Sequence, residues 1–355
     1  MMLAAITSGF PRRSETFVLN ELLALESRGL LGPIFATKPG DASGLQPGAE
    51  RLLPRVRVLP AVSPSRQARL VARALAGTDV DGVHAFFAHT PAEVGREAAA
   101  RIGVPFGFSL HARDARKVRP SELRARAASA ACVVACNRDV AEEARAAGAE
   151  AQVLPHGVDL RRFRPTPEPP EAPFTLLAVG RLVPKKGFGV LVEAAARLCR
   201  PLRLRIVGGG PERERLAAGI QAAGVADQVS LEPPVTHDEL PAALAGAHVV
   251  AVPSLRDSTG DRDGLPNVVL EAMAAGRVVV ASDVGAVGTA VKDGQTGLLA
   301  LAGDVAYLAM AIERLAAHPA LRAQLANAAR DLVEREFDLH ACTTRFAGSL
   351  EAAYA

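Results

Sequence analysis

A turn with fixed cations is the stretch of this 355-residue chain whose residue types most clearly point to chemistry. In AVGRLVPKKGFG, at residues 178–189, an apolar strand is predicted to end at Gly180 and a helix to start at Gly187. Arg181 and Lys186 lie in the turn between them. A helix N-terminus at the carboxyl edge of a parallel sheet favours anions, so cations placed there suit a diphosphate. The same residues are also compatible with a solvated basic turn.

A second strand-end turn, IVGGGP at residues 206–211, offers glycines instead of charges. Gly208 and Gly210 would allow a ligand to approach the backbone closely. The pattern is not a dinucleotide fingerprint, because Arg213 occupies the place of the third glycine and no acidic residue follows at the expected distance. A tight turn that needs glycine conformations is the alternative.

Two carboxylates mark a third stretch, DGLPNVVLEAMAAG at residues 263–276. The helix is predicted to begin near Pro266, which is tolerated in a first turn, so that Asp263 precedes the helix and Glu271 lies inside it. Ionised carboxylates only accept hydrogen bonds, which suits the vicinal hydroxyls of a sugar. In the alternative interpretation, Glu271 is an ordinary helix residue and Asp263 is an acid that the helix dipole favours.

The elements that must position these motifs alternate between short apolar runs and longer amphipathic ones, which is typical of parallel strands joined by crossover helices. The segment RPTPEPPEAP at 164–173 has five prolines, and such composition favours an extended connector. We therefore predict an α/β protein with two doubly wound domains, at 1–165 and 174–337, joined by a linker at 166–173. A final helix at about 338–355 is expected to pack back on the first domain.

Composition excludes several classes of protein. The charged fraction of 22% and the net charge of +3 exclude a disordered chain. Residues 1–165 carry 23 basic and 16 acidic residues, a net of +7, which favours an anionic partner but is far from the composition of a nucleic-acid-binding protein. The four cysteines form neither a disulfide framework nor a zinc spacing. With no secretion signal and no membrane-spanning apolar run, the expected location is the cytoplasm.

Taken together, VGRLVPKKG, IVGGGP and DGLPNVVLEAMAAG resemble the retaining GT-B glycosyltransferases of family four. LPHGVDLRRF at 154–163 resembles the segment of that family just before its linker. FPRRSETFVLNEL at 10–22 and FSLHARD at 108–114 resemble its polysaccharide and lipid-linked-sugar branch. The resemblance implies two Rossmann-like domains facing across a cleft. It also implies transfer of a sugar from a nucleotide-sugar donor to an acceptor hydroxyl, with retention and without a metal, in glycan or glycoconjugate biosynthesis.

The resemblance also assigns roles to residues. Arg181 and Lys186 would hold the diphosphate of the donor and stabilise the charge that grows as it leaves. Glu271 would bind the ribose hydroxyls, and Asp263 the hydroxyls of the transferred sugar. His111 would face that sugar from the first domain. The remaining residues implied at the donor site are Gly9, Gly180, Gly208, Gly210, Gly264, Leu265, Pro266 and Asn267.

Two residues depart from the family pattern, and two rival functions stay open. Asp263 is one methylene shorter than the usual glutamate, and Thr289 stands where many relatives have a glutamate. A nucleotide-sugar epimerase shares the GT-B architecture, and product formation without an acceptor would favour it. A non-catalytic subunit that binds nucleotide sugars would bind the donor without turnover. Asp261 and Asp263 also form the metal-binding tripeptide of a different glycosyltransferase fold, which we interpret as coincidence.

A basic stretch from Arg113 to Arg126 follows His111. It could dock an anionic, lipid-linked acceptor or lie against the inner face of a membrane as a peripheral contact, since each cation contributes about 1 kcal/mol near an acidic surface. A solvated helix face is the alternative.

Overall fold

The structure is a computed structural model that describes residues 1–12, 15–41, 46–111, 116–170, 173–200 and 202–355. Its contacts divide the chain into two compact units. The first contains Met1–Gly157 together with His340–Ala355, and the second contains Val158–Leu339. Each unit is built on one parallel sheet, so the predicted α/β class with two doubly wound sheets is confirmed.

The first unit carries a seven-stranded sheet in the order β3-β2-β1-β4-β5-β6-β7. Its strands are Leu3–Thr7 (β1), Leu31–Ala36 (β2), Val56–Val58 (β3), Gly82–Ala85 (β4), Phe106–Leu110 (β5), Cys132–Ala135 (β6) and Gln152–Val153 (β7). Its described helices before residue 157 are Thr16–Ser27 (α1), Ala49–Leu52 (α2), Pro64–Leu75 (α3), Thr90–Ile102 (α4), Pro120–Ala128 (α5) and Arg138–Ala146 (α6).

Residues along β1 alternate between two apolar layers, one on each face of the sheet. Leu3 and Ala5 belong to the layer that includes Leu22 of α1. Ala4 and Ile6 belong to the layer that includes residues of α3 and α4. A parallel sheet covered on both faces has nearly continuous apolar strands, which is why short apolar runs predict them.

The second unit carries a six-stranded sheet in the order β10-β9-β8-β11-β12-β13. Its strands are Phe174–Val179 (β8), Leu202–Val207 (β9), Val229–Glu232 (β10), Val249–Val252 (β11), Val278–Ser282 (β12) and Leu298–Ala300 (β13). Its described helices are Phe188–Ala195 (α7), Arg213–Ala222 (α8), Leu240–Ala245 (α9), Asn267–Ala274 (α10), Val287–Ala290 (α11), Val305–Ala317 (α12) and Pro319–Glu336 (α13).

The proline-rich segment at 166–173, predicted as a linker, has its contacts with the second unit as far as it is described. Proline has no N–H to donate but keeps its carbonyl acceptor. The fully buried guanidinium of Arg277 donates to the carbonyl oxygens of Thr166 at 3.0 Å and Pro167 at 2.9 Å. These hydrogen bonds tie the segment to the second unit, and a partner so distant in the sequence is not visible in local composition.

The last helix, Leu339–Tyr354 (α14), packs on the first unit. Its residues Phe346 and Leu350 join the apolar layer of β1. The hydroxyl of Tyr354 donates to the carbonyl oxygen of Val83 at 2.9 Å and lies 3.2 Å from Nδ1 of the buried His84. The helix is therefore fixed to the sheet by a polar contact within an apolar layer.

Candidate functional site

The cation-bearing turn follows β8. A single 3-10 turn, Pro184–Lys186, leads to Gly187, which has a φ of +65° and precedes α7. A Cβ at Gly187 would overlap the carbonyl oxygen of Pro253, so this turn needs glycine for both its conformation and its packing. The turn thereby brings two lysines to the carboxyl edge of the second sheet.

These lysines form a cluster of paired charges with two aspartates. Lys186 Nζ lies 2.8 Å from Asp263 Oδ2. Lys185 Nζ lies 3.3 Å from Asp263 Oδ1 and 3.3 Å from Asp261 Oδ2. Ser254 Oγ donates to Asp263 Oδ2 at 3.0 Å. We call Lys185, Lys186, Asp261 and Asp263 the charge cluster.

Burial and charge act against each other at Asp263, which is 9% exposed. Burial alone would raise the pKa of its carboxyl, but the charges of Lys186 and Lys185 overcome that effect and hold the pKa below its usual value. Asp263 is therefore ionised at neutral pH. Lys185, 7% exposed, is the more buried of the two lysines, although the family resemblance assigns donor binding to Lys186.

Arg181 differs from both lysines. Its side chain is exposed and makes no hydrogen bond or ion pair with the parts of the chain that the structure describes. Arg181 is therefore available to an anionic ligand. Lys186, by contrast, must either give up its ion pair with Asp263 or keep that pair while it binds the ligand.

The glycines predicted to admit a ligand have a packing role in the structure. A Cβ at Gly208 would overlap the carbonyl oxygen of Gly180, and a Cβ at Gly210 would overlap that of Leu182. The N–H of Leu182 also donates to the carbonyl oxygen of Gly209 at 2.9 Å. Contact between the loops after β8 and β9 thus accounts for these glycines, while their predicted contact with a donor stays a prediction.

The loop before α10 is held by a second loop. The N–H of Ala286 donates to the carbonyl oxygen of Gly264, and Gly285, at a φ of +60°, has no room for a Cβ beside the carbonyl of Asp263. Pro266 immediately precedes α10, as predicted for the helix start. The predicted sugar-seating residues Leu265 and Asn267 lie on the same loop and at the first position of the helix.

Glu271 lies in the second turn of α10 and is 8% exposed. Its Oε1 is 3.5 Å from Nε2 of His237. Nδ1 of His237 lies 2.9 Å from Nη1 of Arg162, which also pairs with Asp238 at 2.6 Å. A guanidinium can only donate, so Nδ1 accepts and Nε2 carries the proton that faces Glu271. His237 is not among the site residues predicted from the sequence. Its position shortly after β10, at the carboxyl edge of the sheet, is the feature of the sequence that indicates a place in the site.

Thr289, the second departure from the family pattern, is used locally. Its hydroxyl donates to the carbonyl oxygen of Ala286 at 2.6 Å. The side chain therefore supports the turn at α11.

In the first unit, His111 directly follows β5 and is 8% exposed. Its ring lies 4.5 Å from Phe17, 5.1 Å from Phe87 and 5.2 Å from His156, measured between ring centroids. Burial, assisted by the charge on His156, holds the pKa of His111 well below its usual value. Apart from a weak contact with the backbone of Phe86, which partly opposes that lowering of the pKa, neither ring nitrogen has a hydrogen-bond partner among the described residues.

Gly9, predicted to approach the donor, packs within the first unit. A Cβ there would lie 2.8 Å from the carbonyl oxygen of Pro39. Close contact between the loops after β1 and β2 therefore accounts for this glycine, and its predicted contact with the donor stays a prediction.

The basic stretch from Arg113 to Arg126 is partly engaged by acids. Arg113 lies outside the described residues. Arg116 pairs with Asp139 at 3.2 Å and with Glu143 at 2.9 Å, and the buried Arg126 donates to the carbonyl oxygen of Ala88. In the described parts of the chain, no helix has the length and hydropathy that crossing a bilayer requires.

Two family models match consecutive parts of the chain. The model of Glycosyl transferases group 1 matches residues 160–332, and that of Glycosyltransferase Family 4 matches residues 14–162. Together the two models span the turn of the charge cluster, α10 and the strand that precedes His111.

Curated relatives match parts of the chain. The D-inositol 3-phosphate glycosyltransferase of Acidothermus cellulolyticus is 37% identical in an alignment of 276 residues that covers 67% of this chain and 60% of that protein. The GDP-mannose-dependent alpha-(1-6)-phosphatidylinositol monomannoside mannosyltransferase of Mycobacterium tuberculosis is 39% identical in an alignment of 181 residues that covers 47% of each chain. The chain thus spans 60% or less of the length of these two relatives.

A solved structure matches nearly the whole chain. The crystal structure of Anabaena HepE in complex with UDP superimposes with a TM-score of 0.83 at 20% identity, covering 99% of this chain and 100% of the other. At that identity the likeness shows a shared fold.

Proposed function

The chain belongs to the glycosyl transferases group 1, with the GT-B fold, and on this premise we propose that it transfers a sugar from a nucleotide-sugar donor to an acceptor hydroxyl with retention of anomeric configuration. The proposed pathway is the biosynthesis of a glycan or glycoconjugate. The relatives named above support this proposal, since both are described as glycosyltransferases and one as GDP-mannose-dependent.

The observation that carries the proposal is the gathering of cations and carboxylates at one edge of the second sheet. The exposed, unpartnered Arg181 and the Lys186 ammonium would bind the donor diphosphate. Glu271, held by His237, would accept hydrogen bonds from the ribose hydroxyls. Asp263 would accept from hydroxyls of the transferred sugar through lone pairs that its lysine partners leave free.

In the proposed reaction, the bond between the anomeric carbon and the diphosphate oxygen breaks while a bond to the acceptor oxygen forms on the same face. The proton of the acceptor hydroxyl passes to the departing diphosphate. Arg181 and Lys186 would stabilise the negative charge that grows on that group. The cations of the protein thus take the place of a metal in donor binding, and a role for His111 toward the sugar stays a prediction.

Donor binding tests this proposal directly. Thermal unfolding would be followed with UDP-, GDP-, ADP- and TDP-sugars, each with and without Mg2+. A ligand that binds only the folded state stabilises it by about 2.7 kcal/mol at one hundred times its dissociation constant. We expect one nucleotide family to raise the midpoint without a metal.

Two variants locate the site. Arg181→Ala should abolish the shift, and because this side chain is exposed and unpaired, the substitution should leave the ligand-free midpoint unchanged. Arg197→Ala, a change at another exposed arginine of the second unit, is the matched control and should keep the shift. The proposal is wrong if no nucleotide sugar raises the midpoint, or if the shift survives Arg181→Ala.

Turnover then distinguishes the proposed reaction from its rivals. Phosphorylated inositols and phosphatidylinositol mannosides, which the names of the two relatives suggest, make a first acceptor panel. A product that appears only with an acceptor supports transfer, and one that appears without it identifies an epimerase.

Membrane contact is a separate part of the proposal. With Arg116 and Arg126 engaged inside the first unit, it would rest on the exposed Lys117, Arg119 and Arg124. Arg119 pairs with Glu122 and Arg124 donates to the carbonyl oxygen of Ala147, but both side chains remain accessible to a surface. Vesicles containing anionic lipid should bind the protein, and unchanged binding of a variant with these three residues replaced by alanine would remove this part.

A further inference from the structure

Three side chains with metal-binding atoms follow three neighbouring strands of the first sheet. His111 comes directly after β5, Cys136 directly after β6, and His156 shortly after β7. The strands are adjacent and parallel, with Leu110 opposite Ala135 and Ala135 opposite Val153. The topology therefore brings an imidazole, a thiol and a second imidazole to one edge of the sheet.

The ligand atoms of these residues converge. One atom from each of His111, Cys136 and His156 lies within 4.8 Å of the other two. Ligand atoms around a tetrahedral Zn2+ are about 3.4–3.6 Å apart, as Zn–N and Zn–S bond lengths require. Side-chain rotations of roughly an ångström would close that gap without a change of the backbone.

The two imidazole rings are oriented alike. Their centroids are 5.2 Å apart at an interplanar angle of 23°, and the ring of Phe17 lies 4.5 Å from one and 4.4 Å from the other. The two imidazoles are stacked, and the phenyl ring contacts both of them. This packing holds the two rings close together while one ligand atom of each stays within 4.8 Å of the other.

Outer contacts resemble those that orient metal ligands. Nδ1 of His156 lies 3.0 Å from Glu21 Oε1, and that carboxylate is itself buried. A metal-bound histidine commonly donates its other N–H to a carboxylate in this way. The amide of Asn137 donates to Sγ of Cys136 at 3.3 Å.

An unsatisfied polar group points to a missing partner. Both ring nitrogens of His111 are buried, and apart from a weak contact with the backbone of Phe86 neither has a hydrogen-bond partner among the described residues. Buried polar atoms without partners are rare, and an unplaced ion is one cause. A cation bound by one nitrogen would satisfy it.

We propose that His111, Cys136 and His156 bind a single divalent cation of the zinc class, with Glu21 orienting His156. Two imidazoles and one thiolate match the ligands that Zn2+ prefers, and three protein ligands leave a fourth position open. The cation would share His111 with the predicted contact to the transferred sugar, whereas the donor diphosphate would bind at the charge cluster without a metal. Cation binding is measured without nucleotide sugar and donor binding without a metal, so either proposal can fail alone.

Cobalt reports on this site without any assay of turnover. The protein would be dialysed against a chelator, and Co2+ would be titrated in under reducing conditions, without nucleotide sugar. We expect one equivalent to bind, with tetrahedral visible bands and the ultraviolet absorption of a thiolate–cobalt bond, and we expect Zn2+ to displace it.

Variants assign the ligands. Cys136→Ser should remove the thiolate absorption, whereas Cys199→Ser, a change at an exposed cysteine of the second unit, should keep it. Glu21→Gln should weaken binding by about 10- to 100-fold, as loss of an outer-shell partner does. His156→Gln, read by stoichiometry, provides a second test if Cys136→Ser fails to fold.

The proposal is overturned if the wild-type protein takes up no stoichiometric Co2+ or Zn2+. It is also overturned if the thiolate absorption persists in Cys136→Ser, or if His156→Gln binds as tightly as the wild type.

Discussion

The two units place different chemistry at the same point of similar sheets. In the second unit, the charge cluster of Lys185, Lys186, Asp261 and Asp263 is stabilised by ion pairs. In the first unit, the residues after β5, β6 and β7 are imidazoles and a thiol under aromatic rings. The topology of a parallel sheet fixes where a site forms, while the side chains at the strand ends decide what it binds.

Buried titratable groups in the two units also differ in whether they stay ionised. Asp263 stays ionised since two ammonium groups offset its desolvation. In the first unit, burial lowers the pKa of His84 to about 3 and, with the charges of nearby cations, that of His89 to about 4. The charge cluster therefore depends on charges being present, whereas His84 and His89 stay uncharged. His156 is the exception in the first unit: burial alone would lower its pKa, but Cys136 and Glu21 raise that pKa to about 10.

The largest effect is expected from breaking the charge cluster. Asp263→Ala would leave Lys185 and Lys186 without their shared partner, and removal of one partner of a buried pair costs about 3–5 kcal/mol. Lys185→Met, which removes a buried charge and keeps the apolar stem, should cost less, because Lys186 still pairs with Asp263 and only Asp261 loses its ion pair with Lys185. Urea unfolding of the two variants measures both costs.

Equal losses in those variants would contradict the view that Asp263 is the centre of the charge cluster. A loss under 1 kcal/mol in Asp263→Ala would show that water replaces the missing partner.

Acid should open the first unit before the second. His84 and His89 have unfolded pKa values near 6.5, so below that pH the unfolded chain binds protons that the folded unit does not. Each of these histidines then lowers the free energy of unfolding by about 1.4 kcal/mol per pH unit until its folded pKa is reached. Asp263 has a lowered pKa, so its contribution persists until the pH falls below about 4.

Hydrogen exchange between pH 7 and pH 4, corrected for intrinsic rates in metal-free protein, would show this order peptide by peptide. In His84→Gln, the first unit should take up one proton fewer on unfolding, so its free energy of unfolding should depend less steeply on pH. Loss of protection in the second unit first would contradict the comparison.

Local patterns predicted much of this molecule. The strand ends at residues 179 and 207 and the start of α10 beside Pro266 follow from apolar runs bounded by glycine and proline. These boundaries are encoded by neighbouring residues, so a single sequence reveals them. The positions of Asp263 and Glu271 relative to the helix follow in turn.

Partners from distant segments could not be predicted. Arg277 reaches the proline-rich segment, and His237 reaches Glu271, only after the second sheet has formed. The sequence near Cys136 has no second cysteine or histidine at a spacing typical of metal sites. The two histidines that approach Cys136 in the structure, His111 and His156, follow other strands. Gly208 and Gly210 show that a recognisable local pattern can have more than one cause. Glycines at a strand end are typical of a site where a ligand approaches the backbone, but here the close packing of two loops also requires them.

The smallest expected effect concerns a feature that the two units share. Each contains a histidine beside a buried glutamate: His156 with Glu21 in the first, and His237 with Glu271 in the second. In His237→Ala, Glu271 loses the imidazole whose Nε2 lies 3.5 Å from its Oε1, and a partly exposed polar contact of this kind contributes up to about 1 kcal/mol. We therefore expect the dissociation constant of the donor, measured by calorimetry, to rise about fivefold.

His237→Gln keeps an N–H donor and should recover most of that affinity. If both variants bind the donor as the wild type does, Glu271 is positioned by its helix alone, and the histidine–glutamate pair has a function only in the first unit.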